Sequence, residues 1–255
     1  MNLSALEPGI LLPAFVAGIL VLATHVPLGA AVLARGIIFL DLAIAQIAGL
    51  GVVLVYSLAG EDAGPWWTQL GAVAAALVGA QFLHWRETRD PARQEAVIGV
   101  VFVAAACLAL LVMSQDPQGA EHLRNLLVGQ ILWSHWQGLL PLAGVTAGVL
   151  TAWFGFGLRH SPQGFYLLFA VTITASVQVV GVYLVFASLI VPALASAGCL
   201  SRGYGAGMAG YGLGLLASAL FDLPAGAAIV LALIGAALVW NGALRSPCSG
   251  QASSK

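Results

Sequence analysis

Charge is what this chain is short of. Its 255 residues hold nine Lys+Arg and ten Asp+Glu, 7% in all, against 60% hydrophobic residues. A soluble globular domain carries about 25% charged residues, and so few charges cannot cover a water-facing surface of this size. The shortage excludes a soluble enzyme, a disordered protein and a nucleic-acid binder, which needs a basic stripe. Cysteine is scarce too. Cys107, Cys199 and Cys248 form no CxxC pair and no even set, so their spacing suggests neither a zinc site nor a stapled fold. No Walker lysine motif, HExxH, GxSxG or GxGxxG following a strand pattern occurs. Any energy source must therefore be an ion gradient or another chain.

What the chain has in quantity is long charge-free runs. A helix needs about 20 apolar residues to cross the hydrocarbon core. Residues 8–34 carry no charge and residues 36–60 carry only Asp41; further runs cover 63–85, 96–115, 125–158, 160–201, 203–221 and 223–244. The first four predict one crossing each. The run 125–158 predicts a crossing near 138–157 preceded by a shorter helix around 123–136. The 42-residue run 160–201 fits two crossings, or one crossing and a broken helix bent near Gly181. The fold class expected is an all-α polytopic membrane bundle of eight or nine transmembrane helices. It forms one domain over 1–245 with a short polar tail over 246–255. The runs are continuous rather than alternating, which disfavours a β-barrel. The first eight residues carry Glu7 and no basic residue, unlike a signal peptide.

The few basic residues predict orientation through their loop placement. Arg35, then Arg86, Arg89 and Arg93, then Arg159 follow spans one, three and five. Glu61 and Asp62, and the 116–124 loop, follow spans two and four. The alternation puts residue 35, the 84–95 segment and the 157–163 segment in the cytoplasm, with the N-terminus outside. Trp66, Trp67, Trp133 and Trp136 then read as an interfacial belt on the outer face. The spacings Gly144-x-x-x-Gly148 and Gly210-x-x-x-Gly214 suit close helix packing inside the bundle.

Asp41 is the most informative residue. A carboxylate at a helix centre costs about 2.5–3.5 kcal/mol on insertion scales. It either pairs with Arg35 near the membrane surface or faces an internal pathway for a cation, and the second reading is preferred. Gln46 lies about 140° round the helix from Asp41, so both line a path only if the cavity is wide; Ala45 shares Asp41's face. His25, His84, His122, His135 and His160 have no second ligand in sequence and read as hydrogen-bonding residues. The segment 84–95 holds six of the nineteen charges and reads as a solvated loop or a docking surface for a soluble partner.

Four segments carry a resemblance that runs from about residue 14 to residue 240. They are LGAAVLARGIIFLD at 28–41, EAVIGVVF at 95–102, VVGVYLVFASLIVPALAS at 179–196 and FDLPAGA at 221–227. In this order and spacing the chain resembles the membrane permeases of bacterial ABC importers for zinc, manganese and iron. The resemblance implies a homodimeric, all-helical, multi-pass channel in the cytoplasmic (inner) membrane. A periplasmic or lipoprotein metal-binding protein would deliver the ion, and a cytoplasmic ATP-binding subunit would hydrolyse ATP. The chain itself would be no enzyme and hold no cofactor, the divalent metal being its cargo. Asp41 matches the family's path-lining acid, but Ala45 stands where the family has His, leaving Asp41 and Gln46 as candidate metal-contacting residues. The segment linking Phe156 to Phe165 is shorter than the family's ATPase-docking segment, which turns attention to Arg86, Arg89 and Arg93 as docking residues. The short segment and missing His also admit a secondary transporter or channel that kept the fold without an ATPase.

Overall fold

The computed structural model describes residues 7–59, 64–114, 131–196 and 198–243. Among these residues there are nine α-helices and no strand. They are α1 (Pro8–Arg35), α2 (Leu40–Ala59), α3 (Pro65–Arg89), α4 (Gln94–Met113), α5 (Trp136–Leu150), α6 (Pro162–Val180), α7 (Val182–Ser196), α8 (Leu200–Phe221) and α9 (Ala225–Ala243). Short 3-10 turns at Pro91–Arg93, Ile131–Trp133 and Leu158–His160 join them, and a π turn over Thr151–Gly155 extends α5. Most of the expected helix over 123–136 and all of the tail 246–255 lie outside the described residues.

Proline and glycine set the helix ends. Pro8, Pro65 and Pro162 start α1, α3 and α6, where a missing N–H costs nothing. The Ser161 hydroxyl caps α6 by accepting from the Gly164 amide at 3.2 Å. Gly36 ends α1 in the left-handed region at φ 70, its amide bonding back to the Leu33 and Val32 carbonyls. Gly181 breaks the 160–201 run into α6 and α7 at φ 81, ψ 161, a conformation closed to residues with a side chain. The break falls where the sequence placed a bend.

The segment 84–95 is not a loop. Helix α3 continues through Arg89, Asp90 leaves the helical region at φ −148, ψ 77, and α4 resumes at Gln94. Pro91 explains the corner, because a proline excludes α geometry from the residue before it. The six charges therefore sit on a tight helix-to-helix corner.

Three helix pairs run antiparallel with glycines at their contacts. Gly51 faces Gly71 and Ala75, and Gly79 faces Ile47, pairing α2 with α3. Gly18 meets Tyr211, Gly207 meets Leu22 and Gly203 meets Val26, pairing α1 with α8. Gly214 meets Ile229 and Gly210 meets Leu233, pairing α8 with α9. Gly29 packs against the Leu189 carbonyl and Ala193, which brings α7 back alongside α1. The Gly210/Gly214 pair thus packs within the chain, as its spacing predicted. The Gly144/Gly148 pair does not: a Cβ at either residue would meet nothing within 4 Å.

The two ends of the bundle differ. At one end the Arg35 guanidinium lies 4.2 Å from the Phe165 ring centroid, the Phe39 amide bonds Glu95, and His84 stacks on Tyr166. This gathers the three segments assigned to one side by charge. At the other end Trp133 and Trp136 border a cleft with Gly9 and Pro13, and Trp66 borders another with Gly138 and Pro141. All four belt tryptophans project outward, Trp66 being 77% exposed and Trp133 74%. Six helical segments of the described residues are long and apolar enough to cross a membrane: α1, α2, α4 with its 3-10 turn, α5 with its π turn, α6 and α8. Helices α7 and α9 are shorter apolar helices, and α3 reaches 25 residues but is diluted by Thr68, Gln69, Gln81 and His84. Cys107 is a free, exposed thiol.

These contacts generate a stability prediction. A Cβ on Gly214 would press on the Ile229 backbone, lying 2.8 Å from its nitrogen, and no rotamer relieves a clash with main chain. Gly214→Ala is expected to cost about 1–3 kcal/mol through overpacking. Gly148→Ala, facing open space, is expected to be neutral or slightly stabilising. Thermal unfolding of the detergent-solubilised protein checks both.

Candidate functional site

Asp41 is the second residue of α2, in its first turn, and only 1% exposed. It therefore lies at the Arg35 end of the bundle rather than at mid-depth. Burial comes from the corner formed by Gly36–Phe39, which tucks Ile37 and Leu40 into the core. Neither carboxylate oxygen has a hydrogen-bond partner; the amides of Asp41 itself and Leu42 are its nearest donors. These are first-turn N–H groups, which favour negative charge through the helix dipole. Arg35 does not pair with Asp41. Its guanidinium rests on the Phe165 ring instead, so the surface ion pair weighed from the sequence does not form.

Gln46 is half-buried, one turn and a half deeper, about 7.5 Å along the axis. It lines a narrow cavity of about 30 Å³ together with Ala45, Gly49, Val52, Ala109, Gln178 and Val182. Helices α2, α4, α6 and α7 wall this space, and Gln46 and Gln178 supply its two amides. Asp41 is not on that wall. The structure thus puts the two candidate metal residues on one helix but in separate surroundings. Gln178, read from the sequence as a plain helix-bridging amide, is the polar group that Gln46 shares the cavity with.

A polar cluster that sequence reasoning missed lies beside Asp41. The buried Gln94 amide donates to the Leu83 carbonyl at 2.9 Å and to the Tyr166 hydroxyl at 3.1 Å. Tyr166 is buried and stacks against His84, whose Nδ1 lies 4.0 Å from Glu87. Glu95 accepts from the Phe39 amide at 3.2 Å through Oε1, while its Oε2 is buried and unpartnered. Helices α3, α4 and α6 are tied together here around the start of α2. The only sequence signal was six charges close together, which looked like a solvated loop.

The arginines on the corner point away from this cluster. Arg89 is exposed and stacks over Trp85 at 4.3 Å, Arg93 is exposed and 3.7 Å from Asp90, and Arg86 is half-buried. The histidines behave as expected. His25 is fully buried in α1 with Nδ1 2.8 Å from the Val21 carbonyl, His135 lies 2.6 Å from the Trp133 carbonyl, and His160 accepts from Arg159 at 3.0 Å. His122 lies outside the described residues. Among the described residues no three His, Cys, Asp or Glu side chains gather as a metal cage.

The ABC 3 transport family model matches residues 8–157 and 151–241. The chain belongs to the ABC 3 transport family. This bears out the resemblance to membrane permeases of metal-importing ABC transporters. Among curated relatives, the "Probable iron transport system membrane protein" of Haemophilus influenzae is 27% identical over 208 residues, covering 71% of this chain and 74% of its own. The fold matches PsaBC from Streptococcus pneumoniae in complex with Fab at a TM-score of 0.68 and 23% identity, covering 91% of this chain and 89% of that one. It also matches an inward-facing conformation of a metal-chelate type ABC transporter at a TM-score of 0.52 and 14% identity, covering 91% and 76%. The 23% and 14% likenesses concern the fold.

The cluster around Gln94 predicts a measurable coupling of helices. Gln94→Leu leaves the Leu83 carbonyl and the Tyr166 hydroxyl without their donor. It is expected to cost about 1–3 kcal/mol, while Arg93→Gln, at an exposed position, stays within about 0.5 kcal/mol. Unfolding midpoints of the two variants in detergent make the comparison.

Proposed function

We propose that this chain is the membrane-spanning permease subunit of an ABC importer for a divalent metal ion in the bacterial cytoplasmic membrane. It acts as a homodimer, with a cytoplasmic ATP-binding subunit that hydrolyses ATP and a periplasmic or lipoprotein metal-binding protein that delivers the ion. The metal is the cargo, and the permease needs no cofactor of its own. The observation that carries this reading is Asp41, a buried carboxylate with no partner for either oxygen, in a chain of the ABC 3 transport family. An uncompensated buried charge is costly, and intramembrane acids mark ion pathways. Gln46 and Gln178 supply the polar groups of a separate cavity deeper along α2. With Ala45 in place of an imidazole, the donors are oxygens, which suit manganese or iron better than zinc.

All nine described helices are read as crossings, α7 and α9 being short ones. The Arg86, Arg89 and Arg93 corner is the docking surface for the ATP-binding subunit, since it lies at the Arg35 end and presents exposed cations.

Three measurements test this. Asp41→Asn is expected to lower manganese or iron uptake in a transport-deficient strain by roughly tenfold or more; equal uptake rejects the pathway role. Changing Arg86, Arg89 and Arg93 together to Gln removes three cations worth roughly 0.2–1 kcal/mol each. Co-purification of the ATP-binding subunit should then weaken by roughly tenfold, and unchanged recovery moves the docking surface elsewhere. Accessibility tags placed ahead of α1 in the full chain and after Ala243 should report opposite sides of the membrane, whereas the same side excludes an odd number of crossings. Uptake that persists without the ATP-binding subunit favours the ATPase-independent alternative, to which the short 157–164 segment lends some support.

A further inference from the structure

We propose that Glu95 of α4 is the second carboxylate of the ion pathway and forms, with Asp41, a two-acid site for a hard divalent cation at the Arg35 end of the bundle. The inference rests on the permease reading and deepens it by giving a role to Glu95, the first residue of the EAVIGVVF segment.

Four observations converge. Both oxygens of Asp41 are buried without a partner. Glu95 is fixed two residues away, because its Oε1 accepts the Phe39 amide at 3.2 Å. Its other oxygen, Oε2, is also buried and unpartnered. Asp41 itself is 1% exposed and sits in the first turn of the helix that Phe39 leads into. Three free carboxylate oxygens from α2 and α4 thus crowd one corner. No ion pair to either acid occurs among the described residues, because Arg35 is engaged with Phe165 and Arg93 with Asp90.

Two like charges held together away from water repel each other, and each lacks the solvation it would have outside. A divalent cation between them cancels both charges at once. Oxygen-only donors class that cation as hard, in the manner of manganese, magnesium or calcium sites. Imidazole, the borderline ligand that would favour zinc, is missing where Ala45 stands. The cavity with Gln46 and Gln178 begins about one turn deeper along α2, which leaves the acid pair at the end of the bundle that bears the arginines.

A competing explanation gives Glu95 only a structural task, capping the α1–α2 corner through Phe39, with a proton shared between the two acids. Glu95→Gln separates these readings, because the amide oxygen still accepts the Phe39 N–H while the charge is gone. Glu95→Ala removes both. The probe is Mn²⁺ alone, added to the full chain purified in detergent with its ATP-binding subunit, with free Mn²⁺ counted by its paramagnetic resonance signal. The wild type is expected to bind Mn²⁺, and Asp41→Asn and Glu95→Gln each to weaken binding by roughly tenfold or more. Glu95→Gln should keep the wild-type unfolding midpoint and Glu95→Ala should lower it. Wild-type Mn²⁺ binding by Glu95→Gln, with loss in Asp41→Asn, overturns the role of Glu95 and leaves the pathway reading of Asp41 intact. Absence of Mn²⁺ binding by the wild type overturns the two-acid site itself. Full metal uptake by Asp41→Asn in cells overturns the underlying reading separately.

Discussion

Close approach of helix backbones at glycine is the constraint on which the bundle depends. In lipid there is little hydrophobic drive to bring one apolar helix against another, so dispersion contact and small residues must do it. This chain commits 31 residues to glycine, and its structure shows where several are needed. Gly29 sits on the Leu189 carbonyl, Gly203 on the Pro192 carbonyl, Gly51 on the Gly71 carbonyl and Gly214 on the Ile229 backbone. At each, main chain meets main chain with no room for a methyl group. Helix α8 is the extreme case. It faces α1 through Gly203 and Gly207, α7 through Gly203 and α9 through Gly210 and Gly214, so one helix holds three neighbours. Tyr211, seated against Gly18, bonds Ser188 at 2.8 Å and satisfies its buried hydroxyl in the process.

Against that tightly satisfied half, the α2–α4 corner stands out for what it leaves unsatisfied. Buried polar groups normally find partners. Here Asp41 keeps both oxygens free and Glu95 keeps one, although Gln94, the neighbour of Glu95, makes two hydrogen bonds. The difference is chemical rather than accidental. Gln94 faces α3 and α6, which offer a carbonyl and a hydroxyl, while Glu95 meets one amide, that of Phe39, through one of its oxygens. A chain so poor in charge that leaves three carboxylate oxygens of Asp41 and Glu95 buried without a partner has concentrated its electrostatics at one end of the bundle.

Much of the fold was legible before any coordinates. Charge-free runs gave the helices within a few residues, because lipid tolerates few interruptions, and Gly181 marked the break in the longest run. The sidedness of Arg35, Arg86 and Arg159 was legible for the same reason. The corner at 84–95 was misread as a loop, since six charges resemble solvated chain, whereas Pro91 alone specified a tight turn between two full helices. Asp41 was legible as unusual, but not its depth, which depends on the left-handed Gly36 setting where α2 begins. The contact of Glu95 was not legible. Its partner is an amide 56 residues earlier, and no periodicity within one helix encodes a meeting of that kind.

The absence of slack between α3 and α4 has a mechanical consequence. Arg93 and Glu95 are two residues apart, separated by no flexible segment, and Glu95 grips the amide that precedes α2. A hydrogen bond at 3.2 Å ceases to be one by about 3.6 Å. Tugging the exposed corner by less than half an ångström therefore suffices to let go of that amide, so a force applied at the arginines is converted directly into release of the α1–α2 junction, as a short rigid lever converts a push into the lifting of a latch.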